Sequence, residues 1–128
     1  MRKFLSQEQI KDASFSDAPI TNFVLNSKKR ELQFKSDTYV GCHPDGRWFD
    51  DCQITIKDFD SISIVEDDTQ VVSEYTDVYA IREICEFEYS DELIVMRGFT
   101  VGRGLWTEFR ISGGNISAVY DEANQNSE

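Results

Sequence analysis

Apolar residues in this chain fall mostly on every second position. Leu32 and Phe34 alternate with Glu31, Gln33 and Lys35, and Cys52, Ile54 and Ile56 alternate with Gln53, Thr55 and Lys57. The same period carries Ile62 and Ile64, then Cys85, Phe87 and Tyr89, then Leu105, Thr107, Phe109 and Ile111, and finally Ile116, Ala118 and Tyr120. Successive side chains of an extended chain point to opposite faces, so each run predicts a half-buried strand. Leu93 to Val101 is apolar on both parities, which predicts a strand at the sheet centre covered on both faces.

Asn26-Ser27-Lys28-Lys29, Ser90-Asp91, Gly102-Arg103-Gly104 and Ser112-Gly113-Gly114 separate these runs. Each holds Gly, Asn or Asp, which tolerate the positive φ of tight hairpin turns, and short links require antiparallel neighbours. The expected fold is mainly β: a single-domain antiparallel meander of about seven strands over residues 1–120, closing as a curved sheet, half-barrel or sandwich. Residues 121–128 hold almost no apolar side chain and predict a frayed tail. Ser6 and Gln9 have the spacing of a capping box, with Leu5 and Ile10 as hydrophobic staple, so a short N-terminal helix is expected from about residue 7 to residue 13.

With 128 residues, 40% of them hydrophobic and 12% aromatic, the chain can bury a core without disulfides or metal. Cys42, Cys52 and Cys85 make an odd number, and Ser6-Gln7-Glu8-Gln9 stands where a secretory leader needs an apolar stretch. No segment approaches the roughly 18 consecutive apolar residues of a membrane span. The expectation is a cytoplasmic protein with reduced thiols.

Charge is distributed unevenly along the chain. Residues 58 to 92 contain twelve acids and one base, Arg82, while the remaining chain is balanced, so the net charge of −11 arises entirely in this stretch. A segregated acidic field repels nucleic acid and attracts a basic partner. Acids alternate there with Val71, Val72, Tyr75 and Tyr79, an interface-like mixture, and Glu86 and Glu88 share a strand face opposite Cys85, Phe87 and Tyr89. The candidate partner-binding residues are therefore Glu66, Asp67, Asp68, Glu74, Tyr75, Asp77, Tyr79, Glu86 and Glu88.

Catalytic and cofactor motifs are weak by comparison. Cys42, His43, Asp50, Asp51 and Cys52 lack the paired spacing of a zinc site and read as a turn around Pro44-Asp45-Gly46 leading into a buried Cys52. His43 is the only histidine, and neighbours such as Cys42 and His43 on an extended chain face opposite ways, so they do not form a nucleophile pair. Gly102-Arg103-Gly104 lacks the third glycine and following helix of a phosphate cradle and reads as a hairpin tip carrying an exposed Arg103. Neither Asp58-Phe59-Asp60 nor Glu66-Asp67-Asp68 has the pattern of a helix-loop-helix calcium loop. No catalytic residue, metal or cofactor is expected.

The segregated acid, single domain and short-strand meander, with the phrases Trp48-Phe49-Asp50-Asp51-Cys52-Gln53-Ile54-Thr55-Ile56 and Gly104-Leu105-Trp106-Thr107-Glu108-Phe109, resemble the small β-rich immunity proteins of bacterial polymorphic toxin and contact-dependent growth inhibition systems. The resemblance implies a non-enzymatic protein that neutralises a toxin domain, often a basic nuclease. Two other functions fit the same sequence: a small-ligand carrier or enzyme with a pocket near Tyr39, Trp48 and Trp106, and an acidic mimic of nucleic acid.

Overall fold

The computed structural model describes residues 2–15, 18–41, 46–102 and 104–121. The readings of Cys42, His43, Pro44, Asp45, Arg103 and residues 122–128 lie outside them. The elements are β1 (Arg2–Phe4), α1 (Gln7–Lys11), β2 (Ala13–Ser14), β3 (Ala18–Asn26), β4 (Glu31–Val40), β5 (Arg47–Glu66), β6 (Gln70–Val71), a 3-10 turn (Asp77–Tyr79), β7 (Ile81–Ser90), β8 (Leu93–Thr100) and β9 (Trp106–Asp121).

The protein is mainly β and antiparallel, with the short helix near its start, but the sheet is not an open meander, half-barrel or sandwich. Strands run in the order β9-β8-β7-β3-β4-β5, and β5 pairs back onto β9 from Gln53↔Val119 to Glu66↔Thr107. This closes a six-stranded barrel to which the short strands β1, β2 and β6 are added.

Closure depends on two strands that the alternation divided. Residues 52–57 and 61–64 belong to one continuous β5, and 105–111 and 116–120 largely to one β9, so Ser112-Gly113-Gly114 is a bend within a strand and not a hairpin. In β5, Asp51 (φ 53°) and Asp58 (φ 57°) each insert a left-handed residue, and the inward set steps from Phe49 to Cys52, Ile54 and Ile56, then to Phe59, then to Ile62, Ile64 and Glu66. The Asp37 carboxylate accepts the Asp51 amide at 3.1 Å and supports the first of these bulges. Facing the Phe59/Ser61 register shift, Gly113 (φ 76°) and Gly114 (φ 86°) coil β9; a Cβ on Gly114 would lie 2.9 Å from the Lys57 carbonyl oxygen. Such bulges and glycine kinks let β5 pair with β4 over Arg47–Lys57 and with β9 over Gln53–Glu66, the two partners flanking it together from Gln53 to Lys57.

The barrel also uses β3, whose alternation is broken by a bulge at Asn22 (φ 55°), where the β3–β4 register shifts. Among the described residues, β3 meets β7 through Ala18↔Ile84 and Pro19↔Glu83. The interior is filled by aromatic rings in contact: Phe87–Phe15 at 4.9 Å, Phe15–Phe34 and Phe34–Phe23 at 6.0 Å, and Phe23–Phe109 at 5.4 Å. Narrow barrels are filled by side chains in this way. Leu32, Phe34, Ile54, Ile56, Ile64, Val95, Phe109 and Ile111 are buried as the alternation predicts, with Ile62 and Phe87 packed at the margin. Phe99 instead faces outward against Trp106, 5.4 Å away. Double coverage of β8 is confined to Val95; Ile94, Met96, Gly98 and Thr100 form its buried inner row.

One end of the barrel is closed by α1. Ser6 accepts the Gln9 amide, and Gln9 Oε1 accepts the Ser6 amide at 2.8 Å, completing the capping box. Leu5, Ile10 and Phe15 enter the core, while Gln7 donates to the Tyr89 hydroxyl at 2.9 Å. The helix ends at Lys11, two residues short of the expected limit, and Ala13-Ser14 pairs with Val40 and Tyr39.

Candidate functional site

The opposite end of the barrel is built by the chain from Asp67 to Ala80 and by the described residues 101, 102, 104 and 105 of the 101–105 connection between β8 and β9. Asp67 (φ 57°) and Asp68 (φ 61°) form the left-handed turn from β5 to β6, and both side chains are exposed. The Asp67 amide donates to the Trp106 carbonyl at 2.6 Å and fixes this turn against the base of the 101–105 connection. On the other flank, Val101 donates to Ala80 at 2.8 Å and Gly102 to Val78 at 3.1 Å, so the 3-10 turn is tied to the same connection. Asp67, Asp68, Glu74 and Asp77 are all exposed on this framework, and no base occurs between residues 58 and 81.

Five of the sequence-based candidates stand differently. Glu66 is only 4% exposed and shares the inward row of Ile62 and Ile64, so it is a wall residue of the barrel and not a solvent-facing charge. Tyr75 is partly buried against the barrel core, with its ring 6.4 Å from Phe23 and 6.5 Å from Phe109. Its hydroxyl is buried and has no hydrogen-bond partner among the described residues. Burial, and then the charge of Asp77, pushes the phenol up to about 12. Tyr79 is half-buried and closes the 3-10 turn, its amide donating to Thr76 at 3.0 Å.

Glu86 and Glu88 remain on the outer wall, engaged by a cation that the sequence reading did not place. Arg97 on β8 donates to Glu108 at 2.8 Å, to Glu86 at 2.9 Å and to Glu88 at 3.5 Å, and Arg110 reaches Glu108 at 3.3 Å. Register explains the cluster, since Glu86, Arg97 and Glu108 stand directly opposite one another across three strands. The Glu108 bond, more than those to Glu86, holds the guanidinium protonated still more firmly than usual. Glu86 and Glu88 are thus paired wall residues, distinct from the exposed acids of the barrel end.

Tyr39, Trp48 and Trp106 do not come together. Tyr39 and Trp48 are cross-strand partners 5.5 Å apart near the start of β5, whereas Trp106 adjoins Thr107, which pairs with Glu66 at the other end of that strand. A shallow groove of about 260 Å³ lies on the outer wall around the β3 bulge, lined by Asn22, Val24, Gln33, Phe34, Lys35 and Gln53. Cys52 is fully buried, as expected, and burial above all pushes its thiol up to about 12. At the β3–β4 turn Lys28, Lys29 and Arg30 are all exposed, and the Arg30 carbonyl accepts the Asp58 amide at 2.9 Å.

Among the described residues no three His, Cys, Asp or Glu side chains are grouped to hold a metal ion, and no helix is long and apolar enough to cross a membrane. Comparison with family models, curated proteins and solved structures finds no significant match.

Proposed function

We propose that this protein is a non-catalytic inhibitor that binds a basic protein and blocks it by occlusion, the role implied by its resemblance to toxin-immunity proteins. The observation that carries this reading is the concentration of exposed Asp67, Asp68, Glu74 and Asp77 on one end of a filled barrel, held on backbone turns bonded to the barrel. Carboxylates arranged in this way steer a cationic partner and occupy the surface where it would hold phosphates. A nuclease toxin domain has that chemistry. Inhibition then needs no cofactor and no reacting side chain.

The test is surface plasmon resonance against the basic partner recovered from the source cell, at several ionic strengths. Changing Asp67, Asp68 and Asp77 to Asn and Glu74 to Gln together should slow association about tenfold or more and flatten its salt dependence, with less effect on dissociation. Unchanged association and an unchanged salt slope in the folded variant would reduce the acids to solvated decoration.

A further inference from the structure

Val78 and Val101 form an exposed apolar pair at the acidic end of the barrel. Val78 is 46% and Val101 60% exposed. The main-chain bonds from Val101 to Ala80 and from Gly102 to Val78 hold their backbones side by side. Gly102 permits this approach: a Cβ there would lie 2.6 Å from the Val78 Cβ and 3.0 Å from its Cα. Valine is stiff about χ1, so little side-chain freedom is lost when the pair is covered.

The flanks carry charge. Asp77 immediately precedes Val78, and Asp67 is bonded to Trp106 on the far side of the 101–105 connection. Among the described residues the nearby base is Arg82, whose Nε donates to the Thr100 carbonyl at 3.2 Å; Arg103 lies outside them. An apolar centre within a charged rim is the anatomy of a protein–protein interface.

Resting on the binding function proposed above, we infer that Val78 and Val101 are the apolar centre of the docking surface, and that its occupant is a basic protein segment carrying an apolar side chain between Lys or Arg residues. Charge complementarity selects this occupant. The acids around the pair repel nucleic acid and anionic membranes, and a second copy of a chain with net charge −11 is repelled as well. A wholly polar cationic segment would satisfy the rim and leave the valines uncovered.

The experiment titrates the full chain with two short synthetic peptides of equal positive charge, one alternating lysine with leucine and the other lysine with serine. Calorimetry gives the affinities, and NMR shift changes locate the contact. The leucine peptide should bind about tenfold more tightly or better, because a covered leucine is worth at least that factor, and should shift the Val78 and Val101 amides. Val78→Ser with Val101→Ser should remove the leucine advantage, while neutralising Asp67, Asp68, Glu74 and Asp77 should weaken both peptides. Equal binding of the two peptides, or a leucine advantage that survives in the double serine variant, would overturn the inference and leave the acidic-surface reading standing. Failure of both peptides to bind would overturn that reading too.

Discussion

Tyr75 meets two opposed physical demands. Its ring gains by covering Phe23 and Phe109, but its hydroxyl is buried with no hydrogen-bond partner among the described residues, which costs about 1–3 kcal/mol. Tyr75→Phe should therefore keep the fold and hold or raise its stability by up to about that amount, whereas Tyr75→Ala should cost about 3–5 kcal/mol by uncovering Phe23 and Phe109. Urea unfolding of the two variants separates these effects. Titration adds a second residue-scale outcome. In the unfolded chain the Cys52 thiol and the Tyr75 phenol ionise near their ordinary values, about 8.5 and about 10, but the fold pushes both up to about 12. The unfolded state thus loses its protons first, so the stability associated with both neutral groups is complete below pH about 8.5 and is lost as pH rises toward about 12. The urea midpoint should fall across that window, and Cys52→Ala should flatten the portion between about 8.5 and 10; an equally steep fall in that variant would remove Cys52 from the account.

At the scale of elements, the bends of β5 and β9 turn a sheet into a closed barrel. Gly114 takes φ 86° and has no room for a Cβ beside the Lys57 carbonyl and Phe59, so Gly114→Ala should cost about 1–3 kcal/mol or more through strain and crowding, read from urea unfolding. Phe109→Ala should cost about 3–5 kcal/mol, because its ring is fully buried against Phe23 and Tyr75. Alternation made the buried rows of β4, the middle of β5 and the start of β9 legible in the sequence. It did not reveal closure, because the residues that shift the phase at Asn22, Asp51 and Asp58 are polar and look like ordinary strand surface or turns. Ser112-Gly113-Gly114 carries the composition of a hairpin, yet its positive φ angles serve a coil within β9. Glu66 offered a usable signal, lying two residues beyond Ile64 on the same parity, but its charge outweighed that position in the reading. Tyr75 follows a turn and a two-residue strand, so no local period could show that it points inward.

For the whole molecule, charge segregation was legible and its division was not. Glu86, Glu88 and Glu108 pair with Arg97 and Arg110 on an outer wall, Asp67, Asp68, Glu74 and Asp77 are exposed at one barrel end, and Asp58, Asp60, Asp91 and Glu92 are exposed at the second β5 bulge and the β7–β8 turn. Pairing across the wall depends on strand register, which no local pattern in the sequence supplies. The exposed Lys28, Lys29 and Arg30 stand at the β3–β4 turn, where the Arg30 carbonyl accepts the amide of the exposed Asp58, so acids accompany this basic turn. In the proposed function the acidic barrel end, and not the wall or the groove, meets a basic protein. Amide hydrogen exchange of the protein alone and bound to that partner tests it most directly. Exchange should slow in residues 67–80, 101–102 and 104–106, with the outer face of β3, β4 and β5 unchanged. Protection centred on Tyr39 and Trp48 or on the groove around Asn22, with residues 67–80 exchanging as before, would contradict it.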